Sequence, residues 1–356
     1  MVAYAAIALC AIPLGRLSLG LAVRAGVRHG FVRGKRVVTL GDALEFEHLR
    51  EIDLAGGGVD EVARVILQGC VGDAAEGLDT RDRERVVKAI AMARELQASE
   101  FAVIMPWSRD GELADLCRLL RASPLSVRLY ADQRIRGILG HAKARDFWCF
   151  SIEVQREPLN WRERALKRAM DVVLASAALV VLTPLLAVVA LAIRLDSPGP
   201  AIFRQRRCGF DSREFVMFKF RTMTVLEDGD TIVQTKRGDK RVTRLGRLLR
   251  RASIDELPQL LNVIRGEMSL VGPRPHALAH DDEYKARIDN YALRHHVKPG
   301  LTGAAQVSGL RGETARLSQM EKRVERDLWY IDNWSLALDL KILAATCVAL
   351  FRPEAY

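Results

Sequence analysis

Between Val172 and Ile193 the chain carries no charged residue, a run long enough to cross a bilayer as a straight helix. Thr183 and Pro184 stand near its middle, and proline withholds a backbone N–H and kinks a helix. Both flanks are basic: Arg162, Arg164, Lys167 and Arg168 precede the run, and Arg194, Arg204, Arg206 and Arg207 follow it. Basic flanks stay on the cytoplasmic side of a membrane, which a single straight span cannot satisfy at both ends. The pattern predicts a re-entrant helix that enters one leaflet, breaks at Thr183 and Pro184, and returns. An ordinary spanning helix with a tolerated proline is the competing reading.

A second apolar stretch, Val2 to Val23, is interrupted by Arg16 and followed by Arg24, Arg28, Arg33, Lys35 and Arg36. It has no clear small-residue cleavage site of the signal-peptide kind, and residues 1–34 are expected to form a membrane-associated segment whose end, if it inserts, lies in the cytoplasm, a soluble core helix being the alternative. With 356 residues, 49% of them hydrophobic and 28% charged, the chain has room for two domains and sizeable cores. The net charge of +10 points to an anionic partner. Aromatic residues make up only 6% and do not interleave with basic ones, which argues against nucleic acid. The six cysteines are scattered without a C-x-x-C, so no zinc site is expected and the thiols read as reduced.

Residues 35–150 alternate in α/β fashion. Arg36–Leu40 (RVVTL) reads as a strand and ALEFEHLREI after it as a helix. DRERVVKAIAMARELQ and GELADLCRLLR read as helices, FAVIM and SVRLY as strands. This predicts a Rossmann-like module. Only Gly41 remains of a G-x-G-x-x-G fingerprint, so a regulatory or assembly role, with self-association as a homodimer, is expected rather than dinucleotide binding. Residues 151–160, with Pro158 among them, read as a linker to a third region, 161–356.

That region contains the densest chemistry. The block from Ser253 to Pro275 sets adjacent carboxylates, Asp255 and Glu256, among cations: Arg247, Arg250 and Arg251 before them, Arg265 and Arg274 after. Carboxylates beside fixed cations suit the handling of a diphosphate, whose developing charge needs preorganised positive groups. The plainer alternative is a helix start, since Ser253 to Glu256 also fits the S-x-x-E capping box. An arginine held between Pro273 and Pro275 is geometrically restricted, which suits a bidentate phosphate contact. Lys219 and Arg221 lie in a strand-like run and are candidate further phosphate contacts or a solvated strand face.

KRAMD (Lys167 to Asp171), SPGPAIFRQRRCG, FKFRTM, the long block from Thr243 to His280, YALRHHVKPGLTGAAQVSGLRGET and YIDNWSLALDLKI follow one another in the order seen in bacterial sugar transferases. Over about residues 160–356 the chain resembles the monotopic polyprenyl-phosphate phosphoglycosyl transferases. The portion before it resembles a shortened form of the long members of that family. The resemblance implies a membrane-embedded, α-rich catalytic domain with a re-entrant helix, in a bacterial inner membrane with its active site on the cytoplasmic face. It implies transfer of a sugar-1-phosphate from a UDP-sugar to undecaprenyl phosphate, at the start of exopolysaccharide or related glycan synthesis. Carried over by residue, Asp255 is the nucleophile that forms a phosphosugar-aspartyl intermediate, Glu256 binds Mg²⁺, and Arg250 and Arg274 hold phosphate. Thr183 replaces the family's commoner serine before Pro184 and keeps the hydroxyl.

GPRPHALAH, RHHVKPG and RGET resemble members that use UDP-glucose, although Ala304 and Ser308 stand where those commonly carry tryptophan and asparagine. A homologue using UDP-galactose, or an inactive membrane scaffold, is the alternative. His276, His280, His295 and His296 are assigned structural or supporting roles, because the motif lacks a zinc-protease glutamate and Mg²⁺ prefers oxygen ligands.

Overall fold

A computed structural model describes residues 34–47, 59–68, 77–138, 150–224, 239–288, 290–310, 312 and 316–350. The first apolar run, Val2 to Val23, lies outside the described residues. The chain divides into two compact units, Met1–Arg156 and Glu157–Tyr356.

The N-terminal unit is built on β1 (Lys35–Asp42), whose Val37, Val38 and Leu40 are wholly buried. An apolar run of that kind needs cover on both faces. After the short α1 (Ala43–Glu47) come β2 (Val59–Leu67), α2 (Thr80–Glu95), β3 (Glu100–Ile104), α3 (Asp110–Leu120), β4 (Ser126–Tyr130), α4 (Gln133–Ile138) and β5 (Ser151–Gln155). The sheet order is β2-β1-β3-β4-β5, parallel except where β5 joins antiparallel to β4. Alternate residues face opposite sides. Val38, Leu40, Phe101 and Val103 pack with Val86, Ala89, Ile90 and Ala93 of α2, while Val37, Ala102 and Ile104 pack with Phe46 and Tyr130.

Two segments depart from the sequence reading. Val59–Leu67 forms an edge strand whose pattern of exposed and half-buried residues gave little periodic signal. Residues 151–160 are not linker throughout, because Ser151–Gln155 extend the sheet. Gln155 fixes this strand by donating to the carbonyls of Ser123 (2.7 Å) and Leu125 (2.9 Å).

The C-terminal unit opens with α5 (Trp161–Asp196), a helix of 36 residues started by a reciprocal capping box between Asn160 and Glu163. The expected break at Thr183 and Pro184 does not interrupt it: Pro184 lies inside the helix, and the Thr183 hydroxyl donates to Leu179 O at 2.7 Å. Such back-bonding satisfies a carbonyl locally and bends rather than ends a helix.

One stripe of α5 faces its own unit along the whole length. Lys167, Asp171, Ala175, Val189 and Ile193 are buried, with Ala178, Leu182 and Leu186 half-buried against the core between them. The other side leaves Val173, Val180, Val181, Val188 and Leu195 exposed. Among the described residues this is the one helix long and apolar enough to cross a membrane.

Both ends of α5 are anchored to the same unit. A hairpin of β6 (Ile202–Cys208) and β7 (Glu214–Phe220) follows, then α6 (Arg244–Arg251), a 3-10 turn at Ile254–Gln259, and α7 (Leu260–Arg265). β8 (Ser269–Val271), α8 (Leu278–Arg287), β9 (Gly300–Thr302), α9 (Ala304–Val307), α10 (Leu317–Asp332) and α11 (Leu336–Leu350) complete the unit, with β8 and β9 parallel. Near the helix start, Lys167 Nζ donates to Asp339 Oδ2 (2.6 Å), Val271 O (3.0 Å) and Tyr330 OH (3.2 Å). Arg168 donates to Val263 O and Ile264 O at the end of α7, both at 2.6 Å. Asp171 accepts from Ser269 Oγ and Leu270 N, both at 3.0 Å. The KRAMD motif therefore ties α5 to the core formed by Leu260, Val263, Met268, Val271, Tyr330 and Ile342.

Candidate active site

β7, α6, the 3-10 turn and the Pro-Arg-Pro segment after β8 supply the charged groups of one buried site. Asn262 of α7 locks the turn against β7: its Oδ1 accepts from Phe218 N (3.0 Å) and its Nδ2 donates to Val216 O (2.7 Å). Thr243 caps α6 by accepting from Gly246 N at 2.9 Å. Gly272 and Gly300 let two chain segments meet, since a Cβ at Gly300 would lie 2.1 Å from Gly272 N. That approach carries the backbone into Pro273–Arg274–Pro275.

Ser253 sits in the left-handed region at φ 55° and makes no side-chain cap. A residue held in this conformation is costly outside glycine and persists only where its surroundings impose it. The capping box allowed by the sequence is not formed. Glu256 instead turns its carboxylate to the Arg274 guanidinium, which contacts both oxygens, the longer contact at 3.1 Å, and to Lys219 Nζ at 3.2 Å.

Asp255 is only 6% exposed, and its Oδ1 is buried without a hydrogen-bond partner among the described residues. Burial first, and the neighbouring Glu256 carboxylate second, push its carboxyl up to about 6, against the pull of Lys219, Arg250 and Arg274. Burial holds the Lys219 amine below its ordinary value, opposed by Glu256. Arg250 is oriented by Thr222 Oγ1 (2.9 Å from Nε) and Met223 Sδ (3.1 Å from Nη2). Asp255, Glu256, Lys219, Arg250 and Arg274 are thus brought together.

Arg221 is not. It is buried, and its guanidinium donates to Ser197 O (2.6 Å), Pro198 O (2.9 Å) and Ile193 O (3.3 Å). These carbonyls close α5 and the turn after it, where cations are favoured. A Cβ at Gly199 would lie 2.2 Å from Arg221 Nη1, and Gly199 has φ +120°. The Ser-Pro-Gly-Pro turn is shaped around this arginine, so the phosphate role expected for Arg221 gives way to a structural one.

A second layer fixes Arg274; the sequence reading assigned supporting roles to its histidines but did not single out Arg294, Asp327, Tyr291 or Asp281. Its carbonyl accepts from Arg294 Nη2 (2.8 Å), and Arg294 pairs with Asp327 (2.9 Å). Tyr291 OH donates to Asp281 (2.9 Å) and lies 3.1 Å from Arg294 Nη1. His276 Nδ1 meets the Tyr291 hydroxyl at 2.6 Å and Arg294 Nη1 at 3.0 Å. Burial and then Arg294 hold this imidazole far below the usual histidine range, so it is neutral. His295 Nε2 stands 3.2 Å from Asp281 Oδ2. Among the described residues no three His, Cys, Asp or Glu side chains converge as a metal cage. Of the two positions that depart from the glucose-using pattern, Ala304 is buried in the core and Ser308 Oγ accepts from Arg326 Nε at 3.2 Å.

Curated relatives share this part of the chain. A UDP-glucose:undecaprenyl-phosphate glucose-1-phosphate transferase of Caulobacter vibrioides is 58% identical over 188 residues, covering 53% of this chain and 70% of the relative. One of Escherichia coli K12 is 53% identical over 189 residues, covering 53% of this chain but 41% of the relative. One of Xanthomonas campestris is 42% identical over 262 residues, 71% of this chain and 53% of the relative. The chain thus spans about half the length of the latter two. The family model described as bacterial sugar transferase matches residues 162–353, more than half the chain. The residues around Asp255 fall inside that match, and the chain belongs to the bacterial sugar transferase family.

Proposed function

We propose that this chain transfers a sugar-1-phosphate, glucose-1-phosphate foremost, from a UDP-sugar to undecaprenyl phosphate. The observation that carries the reading is Asp255: a buried carboxylate with one oxygen unpartnered among the described residues, beside Glu256 and near Lys219, Arg250 and Arg274. An Asp255 oxygen attacks the phosphorus that bears the sugar, and the bond from that phosphorus to the UMP oxygen breaks. The phosphate oxygen of the acceptor then attacks the same phosphorus and releases Asp255. Splitting one transfer between two anions into two displacements is what covalent catalysis offers. Desolvation raises the reactivity of the carboxylate, and the three cations meet charge on the phosphoryl oxygens.

The donor set fits Mg²⁺. Asp255 and Glu256 offer adjacent hard oxygen donors, Asp255 Oδ1 is buried without a partner among the described residues, and Mg²⁺ is usually held by one or two carboxylates together with substrate phosphates and water. Glu256 would hold it, and the ion when bound neutralises diphosphate charge.

The membrane reading is monotopic. Both ends of α5 are fastened to one folded unit, through Lys167 and Arg168 at the start and Arg221 at the finish, which favours entry and exit on one leaflet with a bend at Thr183 and Pro184. The basic flanks support the cytoplasmic side, in keeping with a bacterial inner membrane. The N-terminal strand order is one used by doubly wound folds, supporting a Rossmann-like module that serves regulation or self-association as a homodimer.

Radiolabelled UDP-glucose, UDP-galactose and undecaprenyl phosphate test the reading. Lipid-linked glucose-1-phosphate, with a mass-spectrometric sugar-phosphate adduct on Asp255, is the expected result. No lipid-linked product from any UDP-sugar would leave only a scaffold.

A further inference from the structure

Along the C-terminal half of α5, the helix and β6 border a groove of about 780 Å³. Ala187, Ala190 and Leu191 form one wall, Phe203 contributes to the other, and Arg194 and Arg204 stand among them. Both arginines are exposed, and among the described residues neither pairs with a carboxylate. The Arg204 guanidinium rests 6.0 Å from the centre of the Phe218 ring.

Two chains of neighbouring residues lead from this groove toward the reacting carboxylates. Phe203 is directly opposite Lys219 across the β6–β7 ladder, and residues so paired share one face of a hairpin, while Arg204 and Phe218 share the other, the face of Ile202. Lys219 in turn touches Glu256. Behind the groove, Ala190 and Ile202 pack in the same apolar cluster as Ile254, the residue before Asp255. The groove also borders the exposed apolar side of α5, where Val188, Leu191 and Leu195 face outward.

This combination discriminates between the two substrates. A nucleotide sugar is polar throughout and would leave its hydroxyls unpaired against apolar walls. A phosphate monoester on a hydrocarbon chain matches both parts: cations for the head, apolar walls for the first units of the tail, and an outlet toward lipid for the rest. Its size also falls in the range of small-molecule sites, roughly 300–1,000 Å³.

We infer that this groove docks the polyprenyl phosphate acceptor, with Arg194 and Arg204 receiving its phosphate and Ala190, Leu191 and Phe203 its proximal isoprene units. The inference rests on the reaction proposed above and assigns the acceptor a place within it. It predicts a split between the half-reactions: the groove serves the second displacement and not the first.

The test uses the full chain in phosphatidylcholine nanodiscs. UMP release from UDP-glucose without acceptor reads the first half-reaction, and the KM for undecaprenyl phosphate reads the second. The double variant Arg194→Gln, Arg204→Gln should leave the UMP burst and the KM for UDP-glucose unchanged. It should raise the acceptor KM about tenfold or more, the worth of lost charge-assisted hydrogen bonds. Leu191→Trp, at an exposed position, should fill the groove and raise the acceptor KM with the same selectivity. An unchanged acceptor KM in both variants would overturn the assignment. So would a rise seen only when phosphatidylglycerol is added, because the arginines would then serve bulk anionic lipid. A wild-type chain that releases no UMP without acceptor would strike the covalent reading instead, and the acceptor KM would still decide the groove.

Discussion

The two units each bury a carboxylate among cations, and they treat it in opposite ways. In the N-terminal unit Glu100 is 2% exposed, yet it pairs with Lys35, accepts from Tyr130 OH (3.1 Å) and Ser126 Oγ (3.2 Å), and lies 3.2 Å from Arg128 Nε. Nearby, Asp42 binds Arg109 (2.6 Å), Asp132 accepts from Trp107 N (2.8 Å), and Glu45 pairs with Arg136 (2.7 Å). These acids hold strand ends and helix starts of their own sheet. Asp255 in the C-terminal unit leaves one buried oxygen without a partner among the described residues, while neighbouring cations are directed mostly to Glu256 or to carbonyl, hydroxyl and sulfur groups. A fully satisfied buried acid supports a fold. An unsatisfied one with a raised pKa, inside a shell that fixes it, is a candidate for chemistry.

The largest expected effect comes from Asp255→Asn. Turnover should drop about 10⁴-fold or more, as for other covalent nucleophiles, with the adduct absent and the fold intact. Retained turnover with an adduct elsewhere would dissolve the contrast. Glu100→Ala should cost the N-terminal unit about 3 kcal/mol in stability, because it strands a network built around one buried charge, and leave the chemistry of the C-terminal unit unchanged. Differential unfolding with a parallel transfer assay checks both halves of that statement.

Glu256→Gln separates a metal ligand from a helix cap. Glutamine also serves at the third position of a capping box, so a cap role predicts little change. The observed contacts to Arg274 and Lys219 predict a loss of about 10²-fold and a higher Mg²⁺ requirement, read from a Mg²⁺ titration of initial rates.

Stability against pH sharpens the comparison further. The folded Asp255 carboxyl is raised to about 6, while the unfolded one titrates near about 4. Between these values the folded chain keeps a proton that the unfolded chain has lost, so stability falls as pH rises through the window. Relative to Asp255→Asn, the wild type should lose about 1–3 kcal/mol between pH 4 and 7. A constant difference between the two across that range would remove the burial effect ascribed to the Asp255 carboxyl. The smallest effect is expected for Arg221→Lys, which loses the planar fork that reaches several carbonyls. About 1–2 kcal/mol of stability should go, with the KM for UDP-sugar unmoved; a raised KM would return Arg221 to the phosphate site.

Periodicity made β1, α2, β3, α3 and β4 legible, because their apolar residues repeat at the spacing of the faces they bury. The edge strands β2 and β5 were not, since half-exposed strands mix charged and apolar residues and their pairing partner is distant in sequence. Asp255, Glu256, Arg250 and Arg274 were legible from local spacing and from the family motifs. Their supports, Thr222, Asn262, Arg294 and Asp327, were not, although Thr222, Asn262 and Arg294 stand inside motifs that drew notice for other residues.

The sequence alone determined that an uncharged helix must meet lipid or a core, that residues 35–150 are α/β, and that two acids lie among arginines. Those properties follow from composition and short-range spacing. Tertiary structure decided which cation does what. Lys219 and Arg221 are two residues apart and would share one face of a continuing strand, but β7 ends at Phe220, so Lys219 meets Glu256 while Arg221 turns back to close α5. Lys167 likewise looks like a membrane-flanking charge until Asp339, far along the chain, comes to bind it at 2.6 Å. A cation's partner is set by which backbone the fold brings within hydrogen-bond reach, and no local pattern carries that distance.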